Sequence, residues 1–258
     1  MIRWLMNEAA ILLLALQFLT RLPVPAARLF TQARLAATPR YYPLIGLLIG
    51  CVAALAYWAA AQVFPALLAA LLSTAATLLF TGAFHEDGLA DTFDGVGGGV
   101  TRPRALEIMK DSRLGTYGAA ALVLALGLKA AALAALPLAF VLAALIAAHG
   151  LSRASAVLVI ATSRYVRFEG KAKPVATGLG WGGLAVTLLS AAAILAALIG
   201  AAHCPPGAIL SALAGLALGH VALRLFFEPK LGGYTGDALG AVQQASEIGF
   251  YLGLLAWL

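Results

Sequence analysis

The sequence predicts an all-α, polytopic integral membrane protein with about seven transmembrane helices and an N-terminal interfacial helix. Three observations carry this. Of 258 residues 62% are hydrophobic and only 11% charged, against roughly half and about 25% in a soluble domain. Apolar runs near twenty residues recur along the chain, the length a helix needs to cross a bilayer. The polar–apolar alternation over ~10-residue segments that marks a membrane β-barrel is not visible. Mean hydropathy is +0.95.

Taken in order, residues 4–19 are apolar but include Glu8 and Gln17, and no small-residue cleavage site precedes Arg21. The stretch is short for a span, so it reads as an interfacial or partly inserted helix, with a single span as the competing view. Expected spans follow at 43–64, 66–84, 114–135, 138–162, 181–202, 207–227 and 238–258. No long linker or low-complexity tail divides the chain, which predicts one membrane domain over 1–258. Two cysteines, Cys51 and Cys204, are too few for a disulfide framework.

Pairing the spans as hairpins places loops 20–42, 85–113, 163–180 and 228–237 on one side. These hold Arg21, Arg102, Arg104, Lys110, Arg113, Arg164, Arg167, Lys171 and Lys230, among others. The opposite turns, around Pro65, Pro137 and 203–206, hold no Lys or Arg. By the positive-inside rule the charged side is cytoplasmic, so the expected location is the cytoplasmic (inner) membrane with the chemistry facing the cytoplasm. The formal charge of +6 is then met by membrane orientation, anionic lipid and phosphate substrates, without a nucleic-acid partner. Homo-oligomerisation is left open.

The most informative stretch is "HEDGLADTFDG", residues 85–95. Asp87, Asp91 and Asp94 recur at i, i+4 and i+7, which puts them within about 60° of one another on a helix. Three carboxylates so close repel unless a cation or protons neutralise them. Facing lipid they would cost ~10 kcal/mol in all, so they must face water or a protein cavity. Hard oxygen ligands on one face suit Mg²⁺, which takes one or two carboxylates and completes its shell with water and phosphate. Gly88 and Gly95 point to a close approach of backbone or ligand. Glu86 projects about 100° from the stripe and reads as peripheral. His85 reads as a base, a phosphate donor or an interfacial residue.

Downstream, Gly97–Gly99 suggest a flexible connection, and Thr101 before Pro103 marks a helix start. That helix should end near "KDSRLG". Lys110 and Arg113 flank Asp111 there, two phosphate-binding cations around a further potential ligand. Two positions apart on a helix, Asp111 and Arg113 should point about 200° from each other and serve different atoms. "GGYTGDALGA" (232–241) is a second Gly-rich turn carrying Asp237 at the mouth of the last span. Within spans, Glu247 and Arg153 are the strongest functional candidates, Arg153 as an inward cation for a pyrophosphate. Lys129 and Arg224, near span ends, read as snorkelling cations. A transporter would place its acids near the midplane between repeats. Here they gather at one mouth and no repeat is visible, which favours a metal-dependent enzyme acting on a phosphate or diphosphate.

"FLTRLPVP" (18–25), "YYPLIGLLIG" (41–50), "HEDGLADTFDG" (85–95), "EIMKDSRLGTYG" (107–118) and "GGYTGDALGA" (232–241) together closely resemble the cobalamin synthase family. These are membrane-bound adenosylcobinamide-GDP ribazoletransferases, and the resemblance runs over nearly the whole chain. Glu86 departs from the family's pattern, where an apolar residue often stands, which argues against a required role for it. The acid pattern is also similar to that of membrane CDP-alcohol phosphotransferases and aromatic prenyltransferases, although prenyltransferases usually carry two comparable acid-rich motifs. The resemblance implies Mg²⁺-dependent attack of the 3′-hydroxyl of α-ribazole, or of its 5′-phosphate, on the β-phosphorus of adenosylcobinamide-GDP. GMP leaves, and adenosylcobalamin or its 5′-phosphate forms. It implies metal binding by Asp87, Asp91 and Asp94 with Asp111. Substrate binding falls to Lys110, Arg113, Arg153 and Glu247, and catalysis to Asp91, Asp237 and His85, with Asp237 either ligand or base.

Overall fold

Burial differs sharply among the long helices: 83% of an 18-residue stretch is buried in the one over Leu138–Thr162, which carries His149 and Arg153, and only 17% in the most apolar, over Trp181–Gly200. The computed structural model describes residues 2–25, 28–167, 173–176, 179–200 and 203–258; Lys171 lies outside them. Eleven α-helices occur among the described residues: α1 (Ile2–Leu19), α2 (Gln32–Ala36), α3 (Tyr42–Ala61), α4 (Ala66–Thr81), α5 (Phe84–Gly98), α6 (Arg102–Ile108), α7 (Thr116–Ala135), α8 (Leu138–Thr162), α9 (Trp181–Gly200), α10 (Pro206–Leu231) and α11 (Gly236–Trp257). A 3-10 turn over Thr38–Tyr41 leads into α3. The one extended pairing among the described residues is an isolated bridge between Tyr165 and Tyr234.

Among the described residues six helices are long and apolar enough to cross a membrane: α1, the Thr38–Ala61 stretch ending in α3, and α7 to α10. With α4 and α5 taken together as one bent unit there are seven. The all-α polytopic architecture is thus as expected, with three differences. The N-terminal helix belongs to the set by length and composition. The expected span 66–84 stops at Thr81, where the chain turns by 90° into α5. The expected span 238–258 forms as a 22-residue helix but is not in the set, because Asp237, Gln243, Gln244 and Glu247 lower its hydropathy. Those last three side chains are buried by protein.

Buried positions concentrate on α8 and α11, whereas α9 buries only Thr187, Ile194 and Leu198. Lipid tails are as apolar as leucine, so nothing pulls a purely apolar helix inward, while small and polar residues gain by packing together. Glycines set how close these helices come. A Cβ at Gly50 of α3 would lie 2.6 Å from Cα of Ile146 on α8. A Cβ at Gly253 of α11 would lie 3.0 Å from Cα of Ala212 on α10. Gly215 of α10 faces Gly249 of α11, and Gly219 faces Ala245, a small-residue seam of the kind that lets membrane helices touch backbone to backbone.

Candidate active site

The acidic segment owes its position to the bend. Gly82 (φ 72°) ends α4 in the left-handed region and Ala83 (φ 55°) continues it. Glycine adopts this region readily and alanine at a cost. The Arg21 side chain packs where a Cβ on Gly82 would sit, and the Arg21 N–H donates to the Phe80 carbonyl at 2.8 Å. Turned by 90°, α5 presents Asp87 to the exterior and leaves Asp91 half-buried. Its inner side lies against α11, where a Cβ on Gly88 would stand 2.7 Å from the Asp237 carbonyl oxygen and one on Gly240 3.0 Å from that of His85. Gly88 therefore serves the close backbone approach its sequence position suggested.

Asp237 comes to this contact through the "GGYTGD" turn. Gly232 (φ 71°) terminates α10 and Gly233 (φ 145°) lies where a Cβ would collide with the Arg164 carbonyl. The Tyr234 N–H donates to Arg164 O at 2.8 Å, and the Val166 N–H donates to Tyr234 O at 3.0 Å. Thr235 then caps α11, its hydroxyl accepting from the Ala238 N–H at 3.2 Å. This pairing carries Arg167 to Asp237, with Nη2 to Oδ2 at 2.8 Å; Nη2 also donates to the Met109 carbonyl at 3.1 Å. Asp91 lies in the electrostatic field of Asp237, Asp87 and Arg167, and Asp237 in that of Arg167 and Asp87. Four charged groups from three separate segments of the sequence thus converge at one mouth. Arg167 is the member missed by sequence reasoning; its only sequence signal was membership of a basic loop.

The remaining expected residues go elsewhere. Asp94 continues the helical stripe but turns to α7: its carboxylate accepts from the Gly115 N–H at 2.7 Å and the Gly118 N–H at 2.8 Å. Side chains at 115 or 118 would strike it. Asp94 therefore caps a helix N-terminus, where free N–H groups and the helix dipole favour an anion, while its charge still acts on Asp91. Gly97 and Gly98 belong to α5 instead of a flexible connection. Thr101 starts α6 as expected, its hydroxyl accepting from the Arg104 N–H at 3.4 Å, but α6 ends at Ile108. Asp111 and Arg113 therefore lie off the helix and bond to each other, with Nη2 to Oδ2 at 2.6 Å and Nε to Oδ1 at 3.0 Å. The expected 200° divergence does not occur, because it assumed a helix that has already stopped. The Arg113 guanidinium holds the Asp111 carboxyl down to about 2. Lys110 is exposed on the same turn.

His85, two residues before Asp87, falls on the opposite face of α5 and is buried against the Phe84 ring at 5.4 Å. It lines a cavity of about 30 Å³ with Arg153, Tyr42 and Gln243, room for about one water. Arg153 is 2% exposed and donates to the His149 carbonyl at 2.8 Å. Neither His85 nor Arg153 reaches the open carboxylates. Glu247, fully buried, pairs with Lys129, with His149 Nδ1 at 3.1 Å, and with Gln243 Nε2 at 2.6 Å. The Tyr251 hydroxyl donates to it at 3.2 Å. Lys129 is thus no snorkelling cation. Glu86 is not peripheral either: it is buried, and its Oε1 accepts from Gln244 Nε2 at 2.9 Å. Gln244 Nε2 also donates to Gln243 Oε1 at 2.8 Å. Arg153 and Glu247 belong to this interior network, away from the mouth.

Among the described residues no three His, Cys, Asp or Glu side chains are gathered into a metal cage. The donor set at the mouth still suits a hard divalent cation. Asp87, Asp91 and Asp237 offer carboxylate oxygens, and burial with the neighbouring Asp237 and Asp87 charges pushes Asp91 up to about 7, a crowding that a divalent cation would relieve. Such an ion leans on one or two carboxylates and takes the rest of its shell from water and substrate phosphate.

Comparison with known proteins places this arrangement in context. Residues 11–255 match the family model described as cobalamin-5-phosphate synthase. The adenosylcobinamide-GDP ribazoletransferase of Leptothrix cholodnii is 50% identical, over 98% of this chain and 97% of its own. Those of Ralstonia pickettii (46%, 95% and 94%) and Shewanella amazonensis (45%, 96% of each) are similarly close. No solved structure gives a significant match. With a family model covering nearly the whole chain and relatives near half identity end to end, this chain belongs to the cobalamin-5-phosphate synthase family of adenosylcobinamide-GDP ribazoletransferases.

Proposed function

We propose that the chain transfers the adenosylcobinamide-phosphate group of adenosylcobinamide-GDP to α-ribazole or α-ribazole 5′-phosphate, with Mg²⁺, at the cytoplasmic face of the inner membrane. The new bond joins the 3′-oxygen of the ribose to the β-phosphorus. The bond broken is that between the β-phosphorus and the bridging oxygen, which departs with GMP. Asp87 and Asp91 would hold Mg²⁺, which when bound neutralises charge on the phosphate oxygens. Asp237 receives the proton of the 3′-hydroxyl, within the field of Arg167. The observation that carries the reading is the convergence of Asp87 and Asp91 with the Asp237–Arg167 pair. The corrinoid is too bulky to enter the packed helices and sits at the mouth, where Asp87 is exposed.

Purified protein in lipid, given adenosylcobinamide-GDP, α-ribazole 5′-phosphate and Mg²⁺, should release GMP, and no GMP from folded protein would overturn the reading. Asp91→Asn should cut turnover by about 100-fold or more without unfolding the protein. Undiminished activity in EDTA would remove the metal from the proposal. The lysine and arginine asymmetry supports the orientation: a cysteine replacing Arg104, with Cys51 and Cys204 removed, should be labelled only from the cytoplasmic side, and labelling from outside would reverse it.

A further inference from the structure

We propose that Arg167 is the diphosphate-binding residue of this site, an inference that rests on the proposed reaction for its substrate and on geometry for its location. A guanidinium has five N–H donors in a rigid fork that matches phosphate oxygens. In the structure Arg167 uses Nη2 for both the Asp237 carboxylate and the Met109 carbonyl. Its Nε is buried and has no hydrogen-bond partner among the described residues. A buried unmet donor is costly, and a small shift of the side chain toward the mouth would let a phosphate oxygen meet it.

Three other arginines are placed less well for this role; Arg40 also has an unpartnered Nε but is paired with Glu8 of the N-terminal helix. Arg113 is fork-bonded to Asp111, with its side chain 87% exposed. Arg153 also has an unpartnered Nε, but it lines the 30 Å³ cavity inside the bundle, too small for a diphosphate. Arg167 is 13% exposed and fixed between the Tyr165–Tyr234 bridge and Asp237. Its charge is felt by both Asp91 and Asp237. The Asp237 pairing holds the guanidinium at the mouth before substrate arrives, so little ordering is left for binding to supply.

The test uses GDP as the probe, bound to the full chain in lipid nanodiscs with Mg²⁺. Arg167→Gln should weaken GDP binding by about 10-fold or more and lower GMP release by about 100-fold. Arg167→Lys, which keeps the charge and loses the fork, should fall between. Arg104→Gln, which removes an exposed arginine paired to Glu107 three residues further along the same helix, should match wild type. If Arg167 merely clamped Asp237, Asp237→Asn would lose GDP binding as badly as Arg167→Gln. The proposal expects Asp237→Asn to bind GDP as well as wild type or better, because the guanidinium is freed. GDP affinity within twofold of wild type in Arg167→Gln, or equal losses in the two variants, would overturn it. Should Arg167→Gln misfold, wild-type affinity and turnover in Arg167→Lys would overturn it equally. Wild-type protein that binds GDP through Arg167 yet releases no GMP would sink the proposed reaction and leave this assignment standing.

Discussion

Replacing Gly88 with alanine should damage the active site by a single methyl group. The added Cβ would stand 2.7 Å from the Asp237 carbonyl oxygen and 3.1 Å from its Cα. Non-bonded contacts of carbon settle at about 3.5 Å, so α5 and α11 must separate by roughly 0.4–0.8 Å at this point. Both neighbours are backbone, and no side chain can swing away. Overpacking of this kind costs about 1–3 kcal/mol, offset in part by the ~1 kcal/mol that alanine gains over glycine in a helix. The net loss of stability is therefore small, near 1 kcal/mol. The effect on turnover should be larger, because the displaced atoms belong to Asp237 and a misplacement of about 1 Å costs on the order of 100-fold. Gly98→Ala supplies the control. It lies in the same helix with the same propensity gain, and its Cβ would meet only Ile108 Cδ1 at 3.7 Å. Measured as GMP release and as melting in one detergent, Gly88→Ala should lose roughly 10- to 100-fold in rate with a modest drop in melting temperature, while Gly98→Ala keeps both. Equal activity in the two variants would refute the argument that this contact sets the site.

Two further outcomes follow from the interior. Lys129→Met should destabilise the protein by about 3–5 kcal/mol, because it leaves the Glu247 carboxylate buried without its lysine and with only His149 as a possible ionic partner; adding Glu247→Gln should recover part of that loss, and additive losses in thermal melts would dismiss the pairing. Asp94→Asn should lower stability by about 1 kcal/mol through weakened capping of α7 while leaving the Mg²⁺ concentration for half-maximal rate unchanged, whereas a shifted Mg²⁺ requirement would return Asp94 to the metal.

Much of the fold was legible in the sequence because lipid imposes a simple rule: apolar length gives spans, and acids that cannot face lipid mark the site. Asp87 and Asp91 follow directly from that rule, and the "TGD" turn delivers Asp237 to them. What the helical wheel could not give was which carboxylate finds a backbone partner. Asp94 shares the face of Asp91, yet N–H groups 21 and 24 residues further along the chain claim it. Nor could spacing show that α6 stops at Ile108, which turned Asp111 and Arg113 from divergent roles into a mutual pair. Arg167 was hidden because its position depends on a bridge between two loops, a contact with no periodic signature. Lys129 and Glu247 are a match that charge balance alone suggests, since an acid inside the membrane needs a cation.

The same balance explains why an acid-rich segment is tolerated at all. Lys129 brings a positive charge into the bundle and pairs there with the buried Glu247, and losing either partner would leave the other uncompensated. Glu86 reaches the network through Gln244 and Gln243, which fixes the rotation of α5 about its own axis. The next residue, Asp87, is then turned outward to the exposed mouth. The interior anchor and the open site are thus two faces of one helix, and the 90° bend at Gly82 and Ala83 lets one face meet protein while the other meets solvent. A change at Glu86 or Gln244 should therefore act on the site by rotating α5, without touching substrate.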